Sequence, residues 1–142
     1  MSRGWRGAVL AGVVALLVAC SDGYPDKADA VMLHYGMDQR EALTAMNRIG
    51  QGASRKNAAR FALLEGCMLE VHARLPVEGK DSWILPLKGA RASMDKTGEG
   101  DSYRVGLTPA GATGQARTVM DGVPWTDATQ VKWLLEYLQG SC

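Results

Sequence analysis

Cys67-Met68-Leu69-Glu70-Val71-His72-Ala73-Arg74-Leu75 alternates without a break, with Cys67, Leu69, Val71, Ala73 and Leu75 on one side and Met68, Glu70, His72 and Arg74 on the other. Successive side chains of a strand point to opposite faces, so this stretch reads as a half-buried antiparallel strand. Downstream, Pro76 to Asp81 is a turn, and Trp83 to Leu87 is a second strand that Pro86, lacking an N–H, places at an edge. Thr97-Gly98-Glu99-Gly100-Asp101 is a hairpin loop between Ala90 to Met94 and Tyr103 to Leu107. Ala116 to Met120, closed by Asp121-Gly122, adds one more strand.

Helices flank this meander. Ala28, Val31, Met32 and Tyr35 recur at helical spacing behind Asp26 as cap, with Gly36 as the stop. Asp38 with Glu41 makes a capping box for a second helix that carries Leu43, Met46 and Ile49 on one face and ends at Gly50. Gln51 to Asn57 reads as a loop, and Arg60 to Glu65 fits two readings: Ser54 could cap a further helical turn, while Phe61 and Leu63 suit a strand, which we place from Phe61. At the far end Asp127 and Gln130 imitate a capping box, Val131, Leu134, Leu135 and Leu138 form an apolar stripe, and Gly140 is the stop. The expected fold is α+β: N-terminal helices, an antiparallel meander of about four strands, and an amphipathic C-terminal helix packed on the sheet.

Ahead of all this, Arg3 and Arg6 precede an apolar run from Ala8 to Val18, too short to span a bilayer comfortably. The run ends in Leu17-Val18-Ala19-Cys20, which resembles the lipobox of a bacterial lipoprotein signal. That resemblance implies cleavage after residue 19 and acylation of the Cys20 thiol, whose thiolate is the nucleophile that forms the thioether. The polar, turn-rich stretch that follows, with Gly23 and Pro25, reads as a tether over 20–26 ahead of a single domain over 27–142. Several acyl chains, palmitate among them, hold far more firmly than one myristoyl chain, at about 0.8 kcal/mol per buried methylene. Ser21 stands where an Asp commonly retains lipoproteins at the inner membrane, so the resemblance implies an outer-membrane anchor with a periplasmic body. Gly36-Met37-Asp38 and the order helix, helix, strands also resemble the small lipoproteins of the β-barrel assembly machinery, in which Gly-Met-Thr opens the second helix. The likeness covers Ala28 to Gly50 and departs at Asp38, at the missing Pro after Gly50 and at the added C-terminal helix, so no functional residue is carried over.

Removing the first 19 of 142 residues leaves 123, enough for one core. Arg3 and Arg6 go with them, so 16 basic residues against 15 acidic become 14 against 15, a net charge of −1 that argues against nucleic acid as a partner. With Cys20 acylated, Cys67 and Cys142 have only each other to pair with inside the chain, in a compartment where disulfides persist. A metal or redox pair would more typically show C-x-x-C or nearby histidines.

Catalytic signals are sparse. His34 and His72 fit no metal-ligand spacing. Ser21, Ser54, Ser82, Ser93, Ser102 and Ser141 lie in no nucleophile-elbow or S-x-x-K arrangement, and Gly111 and Gly114 open no phosphate cradle. Glu65, Glu70, Asp95 and Asp101 show no telling spacing. The chain is therefore expected to be no enzyme and to need no cofactor or metal; catalysis would require a concave pocket gathering His34 or His72 with carboxylates. Two partner surfaces suggest themselves. Arg48, Arg55, Lys56 and Arg60 form a basic stretch without an intervening acid, read either as a solvated loop or as a face for anionic lipid, peptidoglycan carboxylates or an acidic protein. Trp125, Trp133 and Tyr137 are read either as core flank or as a partner groove. The expected role is a non-catalytic accessory or binding module of the cell envelope. The competing role is an inhibitor or immunity protein against an envelope hydrolase, acting through Lys96 to Ser102 or Ala110 to Gln115.

Overall fold

A computed structural model describes residues 33–53, 56–75, 79–98 and 100–142. The signal run with Leu17, Val18, Ala19 and Cys20, the tether, Ala28 to Met32 of the expected first helix, Ser54 and Arg55 lie outside the described residues. The elements are α1 (Gln39–Gly52), β1 (Ala59–Leu64), β2 (Met68–Leu75), β3 (Gly79–Pro86), β4 (Arg91–Lys96), β5 (Tyr103–Thr108), β6 (Arg117–Val123) and α2 (Trp125–Gly140). The α+β class stands, with a C-terminal helix on a sheet, but the described residues form six strands rather than about four. They form two antiparallel sheets, β1-β2-β3 and β4-β5-β6, instead of one meander.

The split falls at a local break in the chain. Pro86 ends β3 at a sheet edge, and Gly89 takes a left-handed φ of 70°, a conformation glycine adopts without penalty, so the chain turns away before β4. β3 itself begins at Gly79, four residues before the expected Trp83, because it pairs with β2 along its whole length, from Met68↔Pro86 to Leu75↔Gly79. β1 starts at Ala59, close to the reading from Phe61, and pairs antiparallel with β2. Cys67 is not part of the alternating strand. It follows Gly66 in the turn, both at positive φ (72° and 58°), the combination that primed hairpin turns use.

One core joins the layers. Leu69, Val71, Trp83 and Leu85 of the first sheet and Val105, Leu107, Val119 and Met120 of the second are buried together with Met46 of α1. The stripe Val131, Leu134, Leu135 and Leu138 on α2 is wholly buried and lies along β4, β5 and β6. α1 packs on β1 and α2, and β2 meets β6.

α1 carries its expected capping box, with the Glu41 N–H donating to Asp38 Oδ1 and the Asp38 N–H to Glu41 Oε2, both at 2.8 Å. Its end differs: the helix continues through the buried Gly50 to Gly52. Gly50 is there for close approach, since a Cβ at that position would sit 2.3 Å from the Ala59 carbonyl oxygen. One turn earlier, the Asn47 amide donates to the Phe61 carbonyl and accepts from the Phe61 N–H, each at 2.8 Å. This bracket satisfies part of the exposed edge of β1, as a further strand would.

α2 also starts differently. It begins at Trp125 with Pro124 at the cap position, whose ring offers no side-chain acceptor, so no side chain caps it; Asp127 is inside the first turn rather than ahead of it. Burial raises the Asp127 carboxyl above the ordinary aspartate range. Gly140 is the last helical residue, not a stop beyond it. Among Leu33 to Met37, where Tyr35 and Gly36 were expected to close a helix, the described residues form a turn.

Candidate functional site

The Cys67 and Cys142 sulfurs lie at disulfide distance, with Cα atoms 5.8 Å apart. The bridge ties the β1–β2 turn to the end of a helix that packs on the other sheet. Gln39 reinforces this corner, its amide donating to the carbonyl and hydroxyl of Ser141 at 3.1 Å each.

The aromatic residues divide between two places. Trp133 and Tyr137 stack at 5.4 Å between ring centroids, and Tyr35 meets Trp133 edge-on at 5.7 Å. The Tyr137 hydroxyl donates to the Met37 carbonyl. These two rings therefore receive the chain's own segment ahead of α1, whereas Trp125, 52% exposed, lies apart from them at the other end of α2.

The basic stretch is also divided. Lys56 is exposed in the turn after α1, whereas Arg60 stands on the outer face of β1. Strand register then gathers basic residues that sequence spacing does not: Arg60 faces His72 and His72 faces Ser82 across the strands, with Arg74 opposite Lys80. These five residues line an open groove of about 910 Å³ that also includes Gln51 and Asp81. Pleat alternation sends the Asp81 side chain to the face opposite Lys80 and Ser82. There it lines a second groove, of about 670 Å³, with Asp95, Arg104 and Arg117. Arg104 in turn donates from Nε and Nη2 to Asp121 Oδ2 at 3.1 and 2.7 Å, and Arg117 stacks over Trp83 at 5.7 Å. A third groove, of about 400 Å³, continues from the first past the shared Gln51 and Arg60 to Arg48 and Thr44 on α1.

Within the first groove, His72 Nδ1 is 3.0 Å from Ser82 Oγ, and Nε2 is 3.3 Å from Glu70 Oε1. A serine, an imidazole and a carboxylate in series are the components of a nucleophile relay. Here they cross an open sheet face: His72 and Ser82 are exposed and Glu70 half-buried. An oxyanion-stabilising group works best where water is excluded, a condition this face does not meet. His34 lies in the turn before α1 and lines none of these three grooves. Among the described residues, no group of three or more His, Cys, Asp or Glu is placed to hold a metal ion, and no helix is long and apolar enough to cross a membrane.

The sequence alone singled out Arg60 for its neighbours in the chain. Its spatial neighbours His72, Arg74 and Lys80 were legible only as residues on the polar side of an alternation, and pairing register was needed to align them. Comparison with protein-family models, curated proteins and solved structures found no match for this chain.

Proposed function

We propose that the chain is a lipid-anchored, non-catalytic accessory or binding module of the cell envelope, held on the periplasmic side of the outer membrane. The observation that carries this reading is Leu17-Val18-Ala19-Cys20 at the end of an apolar run behind Arg3 and Arg6. A first sheet whose outer face stays open, with charged and polar residues lining a groove at one end of it, supports binding over chemistry.

Crosslinking in intact cells, followed by purification and mass spectrometry, tests it with full-length protein and Cys20→Ser. The full-length chain is expected in the membrane fraction with an envelope assembly, and Cys20→Ser in the soluble fraction without it, its domain still folded. Retention of Cys20→Ser in the membrane would remove the anchor from the reading. Recovery of an effector hydrolase by both forms, crosslinked through Lys96 to Ser102, would replace it with inhibition. That hairpin is braced for such a role, with the Thr97 N–H donating to the Ser102 carbonyl at 2.8 Å.

The Ser82–His72–Glu70 chain gives catalysis its one specific observation. A fluorophosphonate probe is expected to leave Ser82 unlabelled because the relay is open to water. Labelling that disappears in His72→Ala would overturn the non-catalytic reading.

A further inference from the structure

The outer face of the first sheet is divided in two. Toward one end it presents Leu64, Met68, Ile84 and Pro86; toward the other it presents Arg60, His72, Arg74 and Lys80. The basic half does not stop at the sheet edge, because Gln51 and Arg60 also line the groove that runs to Arg48 on α1. Lys80, Arg60 and Arg48 thus follow one another along a continuous track, with the Ser82 hydroxyl and the Gln51 amide among them and the Thr44 hydroxyl one turn beyond Arg48. Crossing from β3 to β1 alone takes two interstrand spacings, about 10 Å.

We propose that this track binds an extended anionic glycan, a sugar chain bearing carboxylate or phosphate groups at intervals. The proposal rests on the binding-module reading and names the ligand class of that module. Cations strung along an open channel suit charges repeated along a chain better than one enclosed ion. The neutral donors and acceptors between them suit sugar hydroxyls. An acidic peptide would more naturally add to a sheet edge, but at β1 the Asn47 amide already holds the N–H and carbonyl of Phe61.

Calorimetric titration of the full chain in non-ionic detergent with galacturonate dimers and octamers tests the assignment. The octamer is expected to bind about tenfold or more tightly than the dimer, and raising salt from 50 to 200 mM should weaken it by about tenfold or more. Arg60→Ala and Arg48→Ala should each weaken octamer binding about fivefold and flatten the salt dependence, while Arg91→Ala, an exposed cation on β4, should leave it unchanged. Matching thermal melts of the variants keep the comparison one of binding. Equal affinity for dimer and octamer, equal losses in Arg60→Ala and Arg91→Ala, or tighter binding to polyglutamate or phosphatidylglycerol vesicles would each overturn the proposal. If glycan binding fails while Cys20-dependent recovery of an envelope assembly persists, this ligand class falls and the module reading stands.

Discussion

Gly50→Ala is expected to destabilise the protein by about 3 kcal/mol, lowering the melting temperature by about 10 °C. Helix propensity argues the other way, since alanine is favoured over glycine in a helix interior by about 1 kcal/mol. Packing decides the sign. The added Cβ would lie 2.3 Å from the Ala59 carbonyl oxygen, 3.0 Å from its carbon and 3.2 Å from Phe61 Cε2, and the first two are backbone atoms that cannot swing aside. α1 must then retreat from β1. That movement strains the Asn47 bracket and leaves the Phe61 N–H and carbonyl without good partners, at about 1–3 kcal/mol per buried group left unmade. Gly52→Ala is the internal control: nothing lies within 4 Å of a Cβ there, so its melting temperature should stay near that of the parent. Thermal melts of both variants decide the matter. A Gly50→Ala melting temperature at or above the parent's would show that the helix has room to spare.

Cys142→Ser is expected to cost about 4 kcal/mol under oxidising conditions, a large part of the 5–15 kcal/mol typical of a domain. The cysteines are 75 residues apart in sequence, so removing the bridge releases a long loop in the unfolded chain. Its position also matters for the folded state. α2 packs on the second sheet and on α1, whereas Cys67 belongs to the turn between β1 and β2, so the bridge is the covalent link between a helix and a sheet it does not lie along. Cys67→Ser should match Cys142→Ser, and a reductant should bring the parent protein down to both. Chemical denaturation with and without reductant measures this. A parent protein unaffected by full reduction would count against any stabilising role for the pair.

The basic track shows where reading along the chain reaches its limit. Arg48 and Arg60 stand out as part of a run of charges, but Lys56 in the same run lines none of the three grooves. His72, Arg74 and Lys80 were visible only as the polar members of strands. Charge runs record proximity along the chain, whereas a binding face is assembled by pairing between strands. The same distinction explains Trp133 and Tyr137, whose helical spacing marks a shared face without revealing that Leu33 to Met37 would cover it.

Local chemistry determined a good deal unaided: the capping box at Asp38, the alternation of β2, the hairpin at Thr97 to Ser102, the apolar stripe of α2 and hence the α+β class. Each depends on residues within a few positions of one another, where side-chain period and backbone hydrogen bonding leave few choices. Tertiary structure alone decided that the strands form two sheets, that α1 runs through Gly50 to meet β1, and that Arg60, His72 and Lys80 share one groove. Those outcomes depend on pairing register and on the fit of distant surfaces. A shift of one residue in register would reverse every side chain on a strand, so no local pattern can specify which residues will meet.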